Sequence, residues 1–317
     1  MAALISLMIG LRYEVGGDWR TYLEIFRTTG YADFADALTM SDPGYGLFNW
    51  LAQQFGLGMW AVNLACAVLF MWGLTSFARR QPNPWLALLV SVPYLVIVVA
   101  MGYTRQAVAI GLILVGLSRI VERESLLRFG LYVLLAAAFH KTAIIVLPLV
   151  SFGATKNRLA MVGAGAFMVA TLYYLFLYES IDSLMQNYVT AEYDSQGAAV
   201  RVAMNLVAAA LFLIFRKRFR LPEFERKLWT NFSIAAFGAL ALLLLIRSST
   251  VVDRLALYLI PLQLFVFSRL PRAFGTPARE NRVWILIVIA YSGLVQLIWL
   301  TSATNAAFWL PYQVYHP

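Results

Sequence analysis

Residues 59–77 read MWAVNLACAVLFMWGLTSF, an apolar run without a single charged side chain. A bilayer core is crossed by about 20 such residues in a helix, and lipid offers the backbone no hydrogen-bond partners, so the run must satisfy its own N–H and C=O groups as a helix. Three further stretches read the same way: Leu159–Tyr178, Leu228–Ile246 and Val283–Leu300. A transmembrane barrel would instead show alternating segments of about ten residues. The whole chain agrees: 61% of its 317 residues are hydrophobic and 13% charged, against about 25% charged in soluble domains. The fold class is therefore all-α and polytopic, a single transmembrane domain over 1–317 with about nine spans of the length a bilayer needs.

The formal charge of +9 does not point to nucleic acid, because the basic residues sit in short clusters beside apolar spans rather than on a soluble face. These clusters are Arg79–Arg80, Arg119–Arg128, Lys156–Arg158, Arg216–Lys227 and Arg269–Arg282. The positive-inside rule makes their loops cytoplasmic. On the other side fall a long first loop, 12–58, a turn at Met101–Arg105, an acidic loop over 179–199, the Arg247–Arg254 segment and the tail from Thr301. Within the first loop, Trp19–Thr28 and Gly44–Phe55 read as two amphipathic helices separated by the turn at Ser41-Asp42-Pro43-Gly44, with apolar faces (Trp19, Tyr22, Phe26; Leu47, Trp50, Leu51) suited to the membrane interface.

One segment breaks the alternation of sides. The cluster ending at Arg128 and the pair Lys156 and Arg158 both belong inside, yet Phe129–Phe152 lies between them as one apolar stretch with His140, Lys141 and Thr142 at its middle and Pro148 beyond. A re-entrant hairpin over 129–152, entering from the cytoplasm and turning at His140, resolves the conflict. Non-helical backbone at that depth is tolerated only beside protein or a water-filled cavity, so the tip points at a site. The opening MAALISLMIGL is apolar over about half a span and lacks a basic n-region or cleavage site, which predicts a short first helix kept in the mature protein. Cys66 is the only cysteine, which excludes an internal disulfide. Neither an internal repeat nor a metal-ligand spacing is visible, and no metal or other cofactor is expected.

The basic residues of the outer face are all arginine: Arg12, Arg20, Arg27, Arg105, Arg201, Arg247 and Arg254. Arginine's rigid fork matches phosphate oxygens, and charges in or beside the membrane are functional candidates. The plainer alternative is that these groups snorkel, or pair with Glu14, Asp18, Glu24 and Asp253. Arg105 follows the break at Met101–Thr104 and opens a helix, where free N–H groups and guanidinium can meet one anion. Arg254 stands beside Asp253, which either orients or neutralises it. Asp18, in Gly16-Gly17-Asp18-Trp19, is the first candidate carboxylate, although the same position is that of a helix N-cap. His140 is the second catalytic candidate. Glu179, Asp182, Glu192 and Asp194, with Tyr188 and Tyr193, fit sugar contacts or an ordinary solvated loop.

Six short pieces in order carry a resemblance: Arg12-Tyr-Glu-Val-Gly-Gly-Asp18-Trp-Arg-Thr-Tyr22, Asp42-Pro-Gly-Tyr45-Gly-Leu-Phe-Asn49, Arg105-Gln-Ala107, Ala138-Phe-His140-Lys-Thr-Ala143 with Pro148, Asp253-Arg254 with Tyr258, and Pro311-Tyr312. The chain resembles the EpsG-type members of the Wzy-like polysaccharide polymerases of bacterial exopolysaccharide, capsule and O-antigen clusters. Its short first helix departs from the pattern. The resemblance implies a GT-C-like, metal-independent glycosyltransferase of the bacterial inner membrane, acting at the periplasmic face on undecaprenyl diphosphate-linked oligosaccharide. A flippase and a chain-length regulator of the same pathway would be its companions, with membrane lipid around it and no nucleic acid partner. On that footing Arg105, Arg254, Arg12 and Arg20 are expected at the diphosphate, Asp18 and His140 at the reacting hydroxyl, and Tyr22, Tyr45 and Tyr103 on the sugars. The alternatives are a flippase or transporter of the same lipid-linked sugar, which would need polar residues through the bilayer midplane, and a membrane ligase or acyltransferase, which would need a stronger His and carboxylate centre.

Overall fold

The computed structural model describes residues 1–123, 125–154, 163, 166, 167, 170, 171, 174, 197–245, 249–276 and 279–315. Most of the predicted span Leu159–Tyr178 and of the acidic loop, including Glu179, Asp182, Tyr188, Glu192, Tyr193 and Asp194, lies outside the described residues, as do Lys156, Arg158 and Arg247.

Among the described residues every extended element is helical, apart from two isolated bridges. The helices are α1 (Ala2–Gly10), α2 (Trp19–Thr29), α3 (Phe34–Ala37), α4 (Pro43–Gln54), α5 (Met59–Ala78), α6 (Pro84–Ser91), α7 (Thr104–Arg123), α8 (Leu126–Ala137), α9 (Val146–Ala154), α10 (Ala198–Phe215), α11 (Glu223–Leu245), α12 (Ser249–Leu257), α13 (Ile260–Ala273) and α14 (Arg282–Ser302). Five of them are long and apolar enough to cross a bilayer, and a sixth span results if α12 and α13, bent by 42° at their junction, count as one. The protein is thus a polytopic helical membrane protein.

The bundle is organised around α7, buried over most of its length, whereas α14 is exposed over most of its own. Helices α5 and α7 cross in backbone contact, because a Cβ on Gly73 would overlap the Gly111 carbonyl. Such small-residue approaches replace the hydrophobic effect as the packing force between helices in lipid. α6 runs on into a π-helical stretch, Val92–Ala100, in which Pro93 lacks the N–H that a regular turn would use and the widened turn accommodates its ring. There Trp309 donates from Nε1 to the Ile97 carbonyl at 2.9 Å.

The predicted pair of first-loop helices is present as α2 and α4, and Asp42-Pro43 opens α4 with proline in its first turn. They lie against each other and over the bundle: Tyr22 packs against Tyr45 with tilted rings and centroids 5.3 Å apart, Gln53 donates to the Phe26 carbonyl at 2.8 Å, and Phe48 meets Phe139. Tyr22 is buried by this packing and Trp19 and Phe26 lie against the core, whereas Leu47 is half-buried, Trp50 meets Phe34 of α3 and Leu51 is exposed, so the α2 face assigned to lipid covers the bundle. The tail is strapped to the first loop, with Tyr13 N–H donating to Gln313, Gly16 N–H to Phe308 and Tyr315 N–H to Leu11.

The segment read as re-entrant is broken where the sequence placed the break. α8 and α9 are short apolar helices, joined by a turn at Ala138–His140 and one 3-10 stretch, Lys141–Ile145. α9 approaches the start of α11 through Asn231, which donates to the Leu149 carbonyl. The tip of this hairpin docks on α4, where Gly44 N–H donates to the Ala138 carbonyl at 2.7 Å.

Candidate functional site

The first loop, the start of α7, the hairpin tip and α12 meet at one end of the bundle. Their meeting depends on Gly16, whose backbone sits at φ +108 and whose missing Cβ leaves room for the Met101 carbonyl; a residue with a side chain would be both strained and obstructed there. The contact sets the Asp18 loop against the break that precedes α7.

Arg105 lies at the centre. Its guanidinium contacts the Asp42 carboxylate at 2.8 Å and Ser41 Oγ at 3.2 Å, and stands 5.8 Å over the ring of Tyr22. The side chain is 29% exposed, so this cation is held by the protein yet open on one side. Asp42 also accepts from the backbone N–H of Lys141, and so ties α7 to the hairpin tip. Burial raises the Asp42 pKa above the ordinary carboxylate value, against the opposing pull of Arg105.

Asp18 occupies the cap position of α2 but makes no side-chain capping bond, so helix capping does not account for it. Burial raises its pKa, and the cations that oppose the shift are Arg254 first and Arg105 second. Arg254 is exposed on α12 and its carbonyl accepts from Gln106 Nε2 at 2.7 Å, which fixes α12 to the residue after Arg105. At the hairpin tip, His140 Nδ1 lies 2.6 Å from Thr142 Oγ1 and 3.2 Å from Tyr258 Oη. The charges of Arg105, Arg254 and Lys141 all reach the imidazole. Four separated segments therefore place Asp18, Asp42, Arg105, His140 and Arg254 in one cluster.

Other predicted site residues fall elsewhere. Arg12 is 1% exposed and its guanidinium donates to the Ile9 and Val15 carbonyls, to Asn63 Oδ1 at 3.2 Å and to Thr104 Oγ1 at 2.7 Å. It has no face for a ligand, and it joins the first loop to α5 and α7 instead. Tyr22 and Tyr45 are buried beneath Arg105 rather than open to a sugar, because α2 and α4 close on each other; burial holds the Tyr22 phenol up at about 12. Arg20 is exposed on α2. Asp253 forms an ion pair with Arg201 of α10.

Arg201, held by Asp253, lines a cavity of about 360 Å³ whose walls include Tyr94, Tyr103, Trp299, Asn305 and Trp309. Tyr103 is the link, since it lines this cavity with Arg201 and the charge of Asp18 also reaches its phenol. An apolar groove of about 430 Å³ between α9, α11 and α12 is joined to the cluster through Tyr258. Its walls include Leu149, Ile234, Gly238, Leu255 and Tyr258, so the tyrosine that bonds His140 also closes the groove.

The sequence does not single out Asp42, Tyr258 or Thr142 as site residues, although all three fall within the motifs that carry the resemblance. The signal available in the sequence was the Asp42-Pro43 turn, a carboxylate in a loop already assigned to the Arg-bearing face.

A family model described as the EpsG family matches residues 1–314. The chain belongs to the EpsG family. Family membership associates it with polysaccharide polymerisation by glycosyl transfer. No curated protein and no solved structure matches the chain.

Proposed function

We propose that this EpsG-family protein is a GT-C-like polymerase that joins undecaprenyl diphosphate-linked oligosaccharide repeat units at the periplasmic face of a bacterial inner membrane. The observation that carries the reading is the convergence of Arg105, Arg254 and Asp18, from three distant segments, in a cluster whose His140 bonds Tyr258 in the wall of an apolar groove. A lipid diphosphate needs both surfaces, cations for its head and an apolar channel for its tail. Sidedness rests on the concentration of lysine and most arginines in loops on the other side.

The reaction joins a sugar hydroxyl to the anomeric carbon of the donor chain's first sugar. A new C–O bond forms as the bond from that carbon to the diphosphate oxygen breaks, with inversion at carbon; the electron pair leaves on undecaprenyl diphosphate, and the hydroxyl proton passes to Asp18. The leaving group is already good, so stabilising its charge matters more than acid catalysis. Arg105 and Arg254 carry that task, with Arg20 at the exposed edge. Asp42 holds Arg105 in place, and a raised pKa at Asp18 makes it a better proton acceptor than an ordinary surface carboxylate. Thr142 and Tyr258 both meet Nδ1 of His140, which leaves Nε2 to orient the acceptor hydroxyl. Tyr103, Trp299 and Trp309 supply ring faces for sugars in the adjoining cavity. No step calls on a metal ion.

The test is incubation of purified protein in lipid with an undecaprenyl diphosphate-linked repeat unit, read as product length on a gel. A ladder that disappears in Arg105→Lys and Arg254→Lys variants supports polymerisation at this cluster. Transfer of the lipid-linked sugar across the bilayer without a ladder would replace the reading with transport, and attachment of glycan to a second acceptor without repeat growth would replace it with ligation.

A further inference from the structure

At the other end of the same helices lies a second cationic hollow that the polymerase reading does not use. It is separated from the cluster by the length of α10, about 27 Å at 1.5 Å per residue. Arg218 and Arg220, from the turn between α10 and α11, and Arg269 and Arg272, from the end of α13, wall a cavity of about 410 Å³ together with Pro82 and Gly275. A topology signal needs only positive charge near the membrane edge. It does not need four arginines to line one hollow.

Two of the four are aligned by aromatic rings. Arg218 stands 4.8 Å over Phe274 and Arg269 stands 4.4 Å over Phe265. Arg269 is further fixed by Gln81 at 3.1 Å and by Glu225 at 3.0 Å, and Glu225 is the carboxylate that the described contacts set against these guanidinium groups. Arg220 takes a left-handed backbone conformation, φ +48, which is uncommon for a residue with a side chain. Across the hollow, a Cβ at Gly275 would lie 2.8 Å from the Pro271 carbonyl, so the wall folds back as tightly as a glycine permits. Lysine is present in the neighbourhood but does not line the space; Lys227 pairs with Glu223 at 2.8 Å on the side of α11.

Four arginines around one hollow carry more charge than Glu225 alone offsets, and guanidinium forks match the oxygens of phosphate as they do those of carboxylate, while a phosphate brings more negative charge and more acceptors. We propose that this hollow is a phosphate-binding site, distinct from the diphosphate cluster and at the opposite end of the bundle. Its occupant carries a phosphate monoester or diester, supplied either by the headgroup of an anionic lipid in the adjoining leaflet or by a phosphorylated solute.

The experiment measures binding to the full chain in phosphatidylcholine nanodiscs, with inorganic phosphate and ATP as solute probes, and retention of phosphatidylglycerol from mixed nanodiscs as the lipid probe. Arg218→Gln with Arg272→Gln, both at exposed positions, is compared with Arg216→Gln with Lys217→Gln, which removes equal charge outside the hollow. Any binding at the Arg105 cluster is common to these chains and cancels in the comparison. Saturable binding by either probe that weakens about tenfold or more in the first variant and little in the second supports the site; the probe that responds identifies the source. Equal weakening in both variants, or no saturable binding by either probe, overturns it. If the glutamine variant does not reach the membrane, Arg218→Lys with Arg272→Lys keeps the charge and must still weaken binding, because lysine lacks the fork. Polymerising activity is not read in this test, so its failure leaves the proposed function standing.

Discussion

Arg12 and Arg105 look alike in the sequence, each an arginine at the edge of an apolar segment on the Arg-bearing face, yet the structure uses them in opposite ways. Arg12 is enclosed and donates to two backbone carbonyls and two neutral side chains. Arg105 is held by a carboxylate and a phenol ring but remains 29% exposed. A cation satisfied by neutral acceptors inside the chain organises the fold, because its donors are already used. A cation countered by a carboxylate at a half-open surface can exchange part of that interaction for an anionic ligand. The two nodes touch through neighbouring residues, since Arg12 bonds Thr104, and the enclosed one therefore sets the position of the half-open one.

The largest effect is expected at the enclosed node. Arg12→Met strands acceptors in the first loop, α5 and α7, and hydrogen bonds to a charged group are worth about 1.5–3 kcal/mol each, so the variant should lose folded protein from the membrane and melt markedly earlier in detergent. Arg105→Met should reach the membrane at close to normal yield. An Arg12→Met chain that folds normally and fails only in polymerisation would break the distinction and return Arg12 to the ligand-contact set.

Next in size is Asp18→Asn, with a rate loss of about 10²–10⁴-fold, the range for removal of a general base, and unchanged membrane yield. The raised pKa fixes the sign of the pH dependence. As pH falls through that raised value the carboxylate gains its proton and ceases to act as base, so the acid limb of the wild-type rate should lie above the ordinary 3.8 and should be missing from the residual rate of the variant. Arg105→Lys keeps the charge and loses the fork; a fall of about 10²–10³-fold in the catalytic rate is expected, measured with single lipid-linked repeats. A fall confined to KM would move Arg105 from transition-state charge stabilisation to uniform binding.

Much of the frame behind these predictions was legible. Continuous apolar runs gave the helices of the bundle, the Asp42-Pro43 turn gave the start of α4, and the conflict of charge parity around His140 marked the break between α8 and α9. The division of labour among the arginines was not legible, because Arg12 finds its partners Asn63 and Thr104 at 51 and 92 residues' distance. Neither was the partner of Asp253. Sequence adjacency suggested Arg254, but successive helical residues point about 100° apart, and the α10 side of α12 offers Arg201. Asp42 was overlooked for a related reason: a carboxylate before a proline at a helix start reads as a cap, and only the packing of the hairpin tip beneath α4 shows that it joins Arg105 to Lys141.

The smallest effect tests whether the open node extends into lipid. Gly238 lines the apolar groove, and a Cβ built there meets no atom within 4 Å, so the side chain of Gly238→Leu starts into open space. Its side chain would occupy room that a polyprenyl tail needs. Excluding one or two methylenes from burial, at ~0.8 kcal/mol each, raises KM for the long-chain carrier about four- to fifteenfold. The catalytic rate at saturation should stay the same, because Arg105, Arg254 and Asp18 are untouched. A short-chain carrier whose tail ends before Gly238 should show no change in either constant, and this contrast separates tail exclusion from a general weakening of the bundle. If both carriers suffer equally, the groove does not hold the tail, and the half-open character of Arg105 would serve a ligand that approaches wholly from the aqueous side.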